Sequence, residues 1–314
     1  MDQNATPVTH PSADPEVVIV GGGPAGLQAA LTLGRVHRRA LLIDSGEYRN
    51  ARAEQMHNII THDERPPAEF RERARRDIAR YDTVDVLGAS VESITGTDDG
   101  FQVRTSAGTS VHPRVVLLAT GVRDVLPDVP GLAPLFGTVV AHCPFCHGHE
   151  FAGGAVGVLG SGAPAAHVGT LMSAVASDVV VFTDGATLDE GGAAALADLA
   201  VRPERVTRVT RIAAGTRSDG VRLMLTGGEP VDLAGLFVAP TYHQSAPFAE
   251  QLGLELTDSG CVAIDEFGRT SRAGVFAAGD LAHLRSLPGP LSSVVSAMAA
   301  GQVAAAAMTR ELMS

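Results

Sequence analysis

Two cysteines stand three positions apart in His142-Cys143-Pro144-Phe145-Cys146-His147-Gly148-His149-Glu150. Sulfurs at this spacing can close a small disulfide. A helix starting at the pair would lower a thiol pKa through its positive end, and Pro144 suits a first helical turn. Half of a zinc site and a buried inert pair are the other uses of the spacing, although no second C-x-x-C exists to complete a zinc set. His147, directly after the second sulfur, can take a thiol proton near neutral pH as a neutral imidazole, which a carboxylate does less readily. The alternative is a helix-surface histidine. His142 and His149 flank the same pair, with contact to the site open for each. Cys261 has no partner in sequence and reads as a packed thiol. No metal site is expected.

Gly21, Gly23 and Gly26 form G-x-G-x-x-G, and Asp44 closes the strand that follows. The first glycine permits a tight turn, the second lets backbone approach a pyrophosphate, and the helix start faces the anion. Asp44 can then accept from a ribose hydroxyl, so a dinucleotide site is predicted here. A second, degenerate motif begins at Gly160 and Gly162, and its following strand runs into Thr183-Asp184-Gly185. An acid there repels a 2′-phosphate, which disfavours NADPH. Asp184 could still serve the ribose of NADH. Otherwise the second motif is a vestige, kept because its domain carries the cysteines and one wall of a substrate cleft.

The elements that must position these residues recur in one order. Glu16 to Val20, the glycine turn and the helix QAALTLGRV precede the strand ALLID. A hairpin turns at Asp98-Asp99-Gly100 and the strand VVLLATG follows. The segment from Pro66 to Arg80 alternates acid and base and predicts a solvated helix. AVGVLGSGAPAAHVG, DVVVFTDG, a turn at Ser218-Asp219-Gly220 and LAGLFVAP repeat the set. GVFAAGD and an Ala-rich helix then resemble the end of the first domain. The expected fold is α/β with two Rossmann-like dinucleotide-binding domains, the second inserted in the first. Residues 1–14 form a disordered tail, 15–122 with 243–314 the first domain, and 123–242 the inserted one.

At 314 residues two domains are expected. With 24 basic against 35 acidic residues the net charge is −11, which repels phosphate backbones and argues against nucleic acid. No run approaches a membrane span, the start lacks a signal peptide's pattern, and three cysteines make no secreted framework, so a cytoplasmic location is expected.

LLATG at 117–121 and VFAAGD at 275–280 resemble the segments that return to the flavin in thioredoxin reductases, and the resemblance spans nearly the whole chain after the tail. It implies FAD at the first site. The C-x-x-C-H-G-x-E run departs from thioredoxin reductases, which place Asp directly after the second cysteine. It resembles the flavin-dependent dithiol oxidases that close disulfides in gliotoxin, holomycin and romidepsin-type natural products, as do Asp44 to Ala51 and Met56-His57-Asn58. Together the two resemblances imply FAD contacts from Ser45, Arg49, His57, Asn58, Thr120, Gly121, Gly279 and Asp280. Cys146 would face the flavin, Cys143 would exchange with the substrate, and His147 would be the base. The partners implied are a small-molecule dithiol, molecular oxygen as acceptor, and a second copy in a homodimer. The setting implied is maturation of, and self-protection against, a dithiol product such as holomycin. Ser292-Ser293 stand where thioredoxin reductases carry Arg-Gln, which weakens transfer of the reductase role. An NAD(P)H-dependent disulfide reductase and a non-catalytic, dithiol-sensing flavoprotein are the competing classes. Substrate identity stays open, because Tyr242-His243-Gln244 and Leu284 to Leu291 would supply pocket walls.

Overall fold

The computed structural model describes residues 14–184, 186, 190–191, 194, 202–205, 208–215, 220–287 and 289–313. The expected tail, apart from Asp14, and the turn at Ser218-Asp219 lie outside the described residues. The chain divides into two compact units, one of Met1–Arg49, Ala68–Arg123 and Tyr242–Ser314, the other of Asn50–Pro67 and Asp124–Thr241. The segment 50–67 is thus grouped with the inserted unit, whereas the sequence pattern had assigned it to the first.

In the first unit five parallel strands lie in the order Val275–Ala277, Val115–Leu118, Val17–Val20, Ala40–Asp44, Val84–Gly88. The central strand reads VVIV with every residue buried, as expected for a parallel sheet covered on both faces. Alternation sorts its side chains. Val17 and Ile19 pack with the helix Pro24–Arg35 and the C-terminal helix Val294–Glu311, while Val18 and Val20 face the hairpin residues Ile94, Phe101 and Val103. Each such aliphatic side chain contributes about 1.5–3 kcal/mol by leaving water. The hairpin Val91–Thr97 and Gly100–Thr105 turns where Asp98-Asp99-Gly100 predicted it.

The second unit repeats the plan, with parallel strands ordered Arg202–Arg205, Asp178–Phe182, Ala155–Leu159, Gly235–Val238, Val140–Ala141. Val156 and Val158 face the helix Gly162–Ser173, and Leu159, Phe182 and Leu236 face the meander strands Val209–Ala214 and Val221–Leu225. The helix expected between Pro66 and Arg80 runs over Pro67–Ile78 but is not simply solvated. Phe70, Arg71 and Ile78 are buried, Arg71 at 8% exposure. Its charge alternation hid a buried face, because an arginine stem packs like an aliphatic chain. Among the described residues no helix is long and apolar enough to cross a membrane.

Candidate active site: a dinucleotide cradle and a cysteine pair

The cradle is built in the first unit. Gly21 has φ +112° and a Cβ there would strike the carbonyl of Ala119, so only glycine turns the strand Val17–Val20 into the helix. A Cβ on Gly26 would strike the carbonyl of Gly21, which lets the helix sit against the turn. At Gly23 nothing stands within 4 Å of where a Cβ would be, and no side chain caps the helix beginning at Pro24. An open glycine beside an uncapped helix N-terminus is the environment that a pyrophosphate requires. Gly279 comes to the same place, since its Cβ would lie 3.1 Å from the Ala25 side chain.

Asp44 ends its strand 6% exposed. Tyr48 donates its hydroxyl to Oδ2 at 2.5 Å, Arg75 donates Nη2 to the same oxygen at 2.5 Å, and the Gly46 amide donates to Oδ1 at 3.2 Å. Burial pushes this carboxyl up, but the bonds from Tyr48, Gly46 and Arg75, with the Arg75 charge, outweigh it and hold it below its ordinary value. The carboxylate expected to meet a ribose is therefore ionised and already oriented by protein donors. The Arg71 guanidinium stacks 3.7 Å above the Tyr48 ring centroid and completes the cluster. Tyr48, Arg71 and Arg75 escaped the sequence pattern. Only the four-residue spacing of Tyr48 from Asp44 hinted at one of them. Arg49, by contrast, meets Asp280 as an ion pair at 2.8 Å, and lies 4.9 Å from the Tyr242 ring centroid. Ser45 is exposed, its hydroxyl accepting from the Glu47 amide at 3.4 Å, and Thr120 and Gly121 follow the strand Val115–Leu118. Ser293 is the N-cap of the C-terminal helix, accepting from the Ser296 amide at 3.0 Å. Gln244, expected on a pocket wall, donates to the carbonyls of Gly260 and Leu281 at 2.9 and 3.2 Å.

The cysteines lie in the second unit. Cys143 and Cys146 are joined as a disulfide, with Cα atoms 5.3 Å apart. Cys143 is the extended N-cap of the short helix Pro144–His147, and Pro144 takes its first position. Both cysteines are half-buried and Phe145 between them is 66% exposed. His147 Nδ1 is buried with no hydrogen-bond partner. Burial lowers the pKa of this imidazole, and although Glu150 and the Gly137 backbone favour the cation, the net shift is downward. The ring is neutral at neutral pH, the protonation state a base needs.

His57 and Asn58, expected at the cofactor, belong to this second unit by their contacts. His57 Nε2 lies 3.5 Å from Glu150 Oε1, and the Asn58 amide, at φ +60°, donates to Asp63 Oδ1 at 2.7 Å. His142 stacks on Phe136 with ring centroids 5.8 Å apart, and His149 is exposed. Cys261 is buried, as a packed thiol should be. Asp184, at φ +52°, accepts from the Val209 amide at 3.0 Å. The acid expected to face a ribose or repel a phosphate thus also ties one strand end to another. Among the described residues no three His, Cys, Asp or Glu side chains are grouped as metal ligands.

The sequence pattern of the pyridine nucleotide-disulphide oxidoreductases matches residues 15–304. The chain is 35% identical over 308 residues to thioredoxin reductase tcpT of Claviceps purpurea (strain 20.1), covering 95% of each. An oxidoreductase from Agrobacterium tumefaciens superimposes with a TM-score of 0.86 at 34% identity, covering 96% of this chain and 99% of that one. The crystal structure of HlmI does so with 0.84 at 32% identity, covering 98% and 95%. With its two parallel-sheet units, its glycine cradle and its C-x-x-C disulfide, the chain belongs to the pyridine nucleotide-disulphide oxidoreductase family, as a flavoprotein of thioredoxin-reductase type with FAD as cofactor.

Proposed function

We propose that the chain oxidises a small-molecule dithiol to an intramolecular disulfide, with molecular oxygen as final acceptor. The observation that carries this reading is the Cys143–Cys146 disulfide at the start of a helix whose last residue, directly after Cys146, is a half-buried, neutral histidine. His147 takes a proton from the first substrate thiol. The thiolate attacks Cys143 Sγ, the bond to Cys146 breaks, and Cys146 leaves as thiolate. The second substrate thiol then attacks the substrate sulfur held on Cys143. The product ring closes, and the pair is left with the two electrons and two protons that the substrate lost. Bound FAD would supply the redox chemistry that links the reduced pair to oxygen, with hydrogen peroxide as the product. Gly21, Gly23 and Gly26 would hold its pyrophosphate and Asp44 its ribose, with Ser45, Arg49, Thr120, Gly121, Gly279 and Asp280 along the rest. The setting proposed is a cytoplasmic homodimer that matures, and protects its cell from, a dithiol product of the holomycin kind.

A reductase driven by a nicotinamide is the second reading, favoured by persistence of the second glycine motif, where Gly160 and Gly162 keep positive φ. Anaerobic mixing separates the two. A small dithiol such as dithiothreitol should bleach the yellow protein within seconds, whereas NADPH and NADH should leave it coloured. Rapid bleaching by NADPH with sustained disulfide reduction would overturn the oxidase assignment.

A further inference from the structure

Beside the redox pair, wholly within the second unit, lies an open cavity of about 500 Å³ lined by Arg52, Ala133, Pro134, Phe136 and Thr138. Small-molecule sites commonly have about 300–1,000 Å³ with a few placed polar groups. Two contacts link this cavity to the histidines that flank the cysteine pair. The Phe136 ring stacks on His142, the residue before Cys143. Gly137, between two lining residues, has φ +96°, and a Cβ there would lie 3.3 Å from that of Arg52, while the same glycine's backbone acts on His147. The wall therefore runs from Arg52 through Gly137 to the base.

Arg52 is the only charged residue of the lining. Its Nη1 donates to the Ala133 carbonyl at 2.8 Å, which orients the guanidinium and leaves other donors free. Among the described residues no carboxylate pairs with it. In a chain of net charge −11, an oriented cation without an acid beside it is a local reversal of sign. A guanidinium matches a carboxylate in its two-pronged geometry, and charge-assisted bonds of that kind are the stronger ones.

We propose that this pocket seats the non-thiol end of the substrate and that Arg52 selects dithiols bearing a carboxylate there. The proposal rests on the dithiol-oxidase reading for the word substrate, but the binding it predicts can be measured without turnover. Lipoate and lipoamide have the same cyclic disulfide and chain, and differ at the far end by a carboxylate against a neutral amide. With the full-length, FAD-loaded protein, calorimetry should show lipoate binding about tenfold tighter than lipoamide, a preference that shrinks as salt is raised, because Arg52 is exposed. Arg52→Met should bring the ratio to about one. Arg76→Met, which removes an exposed charge in the other unit, should leave the ratio as it is, so that net charge alone is not the cause. Equal binding of the two by the unaltered protein, or a ratio that survives Arg52→Met, overturns the proposal. If the Arg52-dependent ratio holds but neither dihydrolipoate nor dihydrolipoamide bleaches the flavin, the pocket stands and the oxidase reading falls.

Discussion

His147 differs from an ordinary surface histidine because burial penalises its charged form more than Glu150 and Gly137 favour it. Its pKa lies below the usual 6.5, so the neutral base persists as pH falls through that value and is lost only at lower pH. The acid limb of dithiol-driven flavin reduction should therefore fall below pH 6.5. His147→Ala should slow reduction by roughly one hundred-fold at pH 7, the usual scale of a lost general base, and the deficit should shrink at high pH as thiols ionise unaided. Stopped-flow bleaching across pH checks both, and an unchanged rate at pH 7 would demote the residue to packing. Cys143→Ser and Cys146→Ser should each abolish dithiol oxidation with FAD still bound, because exchange requires both sulfurs whereas the cradle lies in the other unit. Asp44→Asn should lower FAD occupancy and cost about 1–3 kcal/mol, since Tyr48 and Arg75 lose a charged acceptor in a buried place. Absorbance per mole of protein and chemical denaturation would report these.

At the scale of elements, the cradle depends on the C-terminal helix as much as on the glycine turn. Gly301 lies where a Cβ would strike the Ala25 carbonyl, so the helix Val294–Glu311 rests its backbone directly on the start of Pro24–Arg35. Gly301→Val should force those helices apart at a cost of about 1–3 kcal/mol or more. A lower melting temperature together with weaker FAD retention is expected. Full FAD occupancy at unaltered melting temperature would show that the contact is dispensable.

For the whole molecule the question is which way electrons travel. A 2′-phosphate requires positive charge at the end of the second unit's strand Asp178–Phe182, and Asp184 offers an acid already bonded to Val209. In air, therefore, a dithiol should consume oxygen and release peroxide in proportion to the disulfide formed, with no nicotinamide present. An oxygen electrode with a peroxide assay measures that ratio, and dithiol oxidation without peroxide would require another acceptor.

The local signals in the chain determined a good deal by themselves. Gly21, Gly23 and Gly26 are legible because a tight turn and an anion-facing helix need glycines at fixed offsets. VVIV and the ALLI of the next strand are legible because a strand buried on both faces reads as a continuous apolar run. The disulfide-capable spacing of Cys143 and Cys146 sits in four consecutive residues. What only tertiary structure decided is what meets across long separations. Arg75 reaches Asp44, Arg49 reaches Asp280, and His57, from the segment 50–67, reaches Glu150. Periodicity could not report these, because a side chain's partner depends on where the backbone returns and not on its own neighbours. The helix Pro67–Ile78 makes the point most plainly. Its charges read as a solvated surface, yet the fold buries Arg71 against Tyr48 and turns Arg75 onto the acid that ends the second strand.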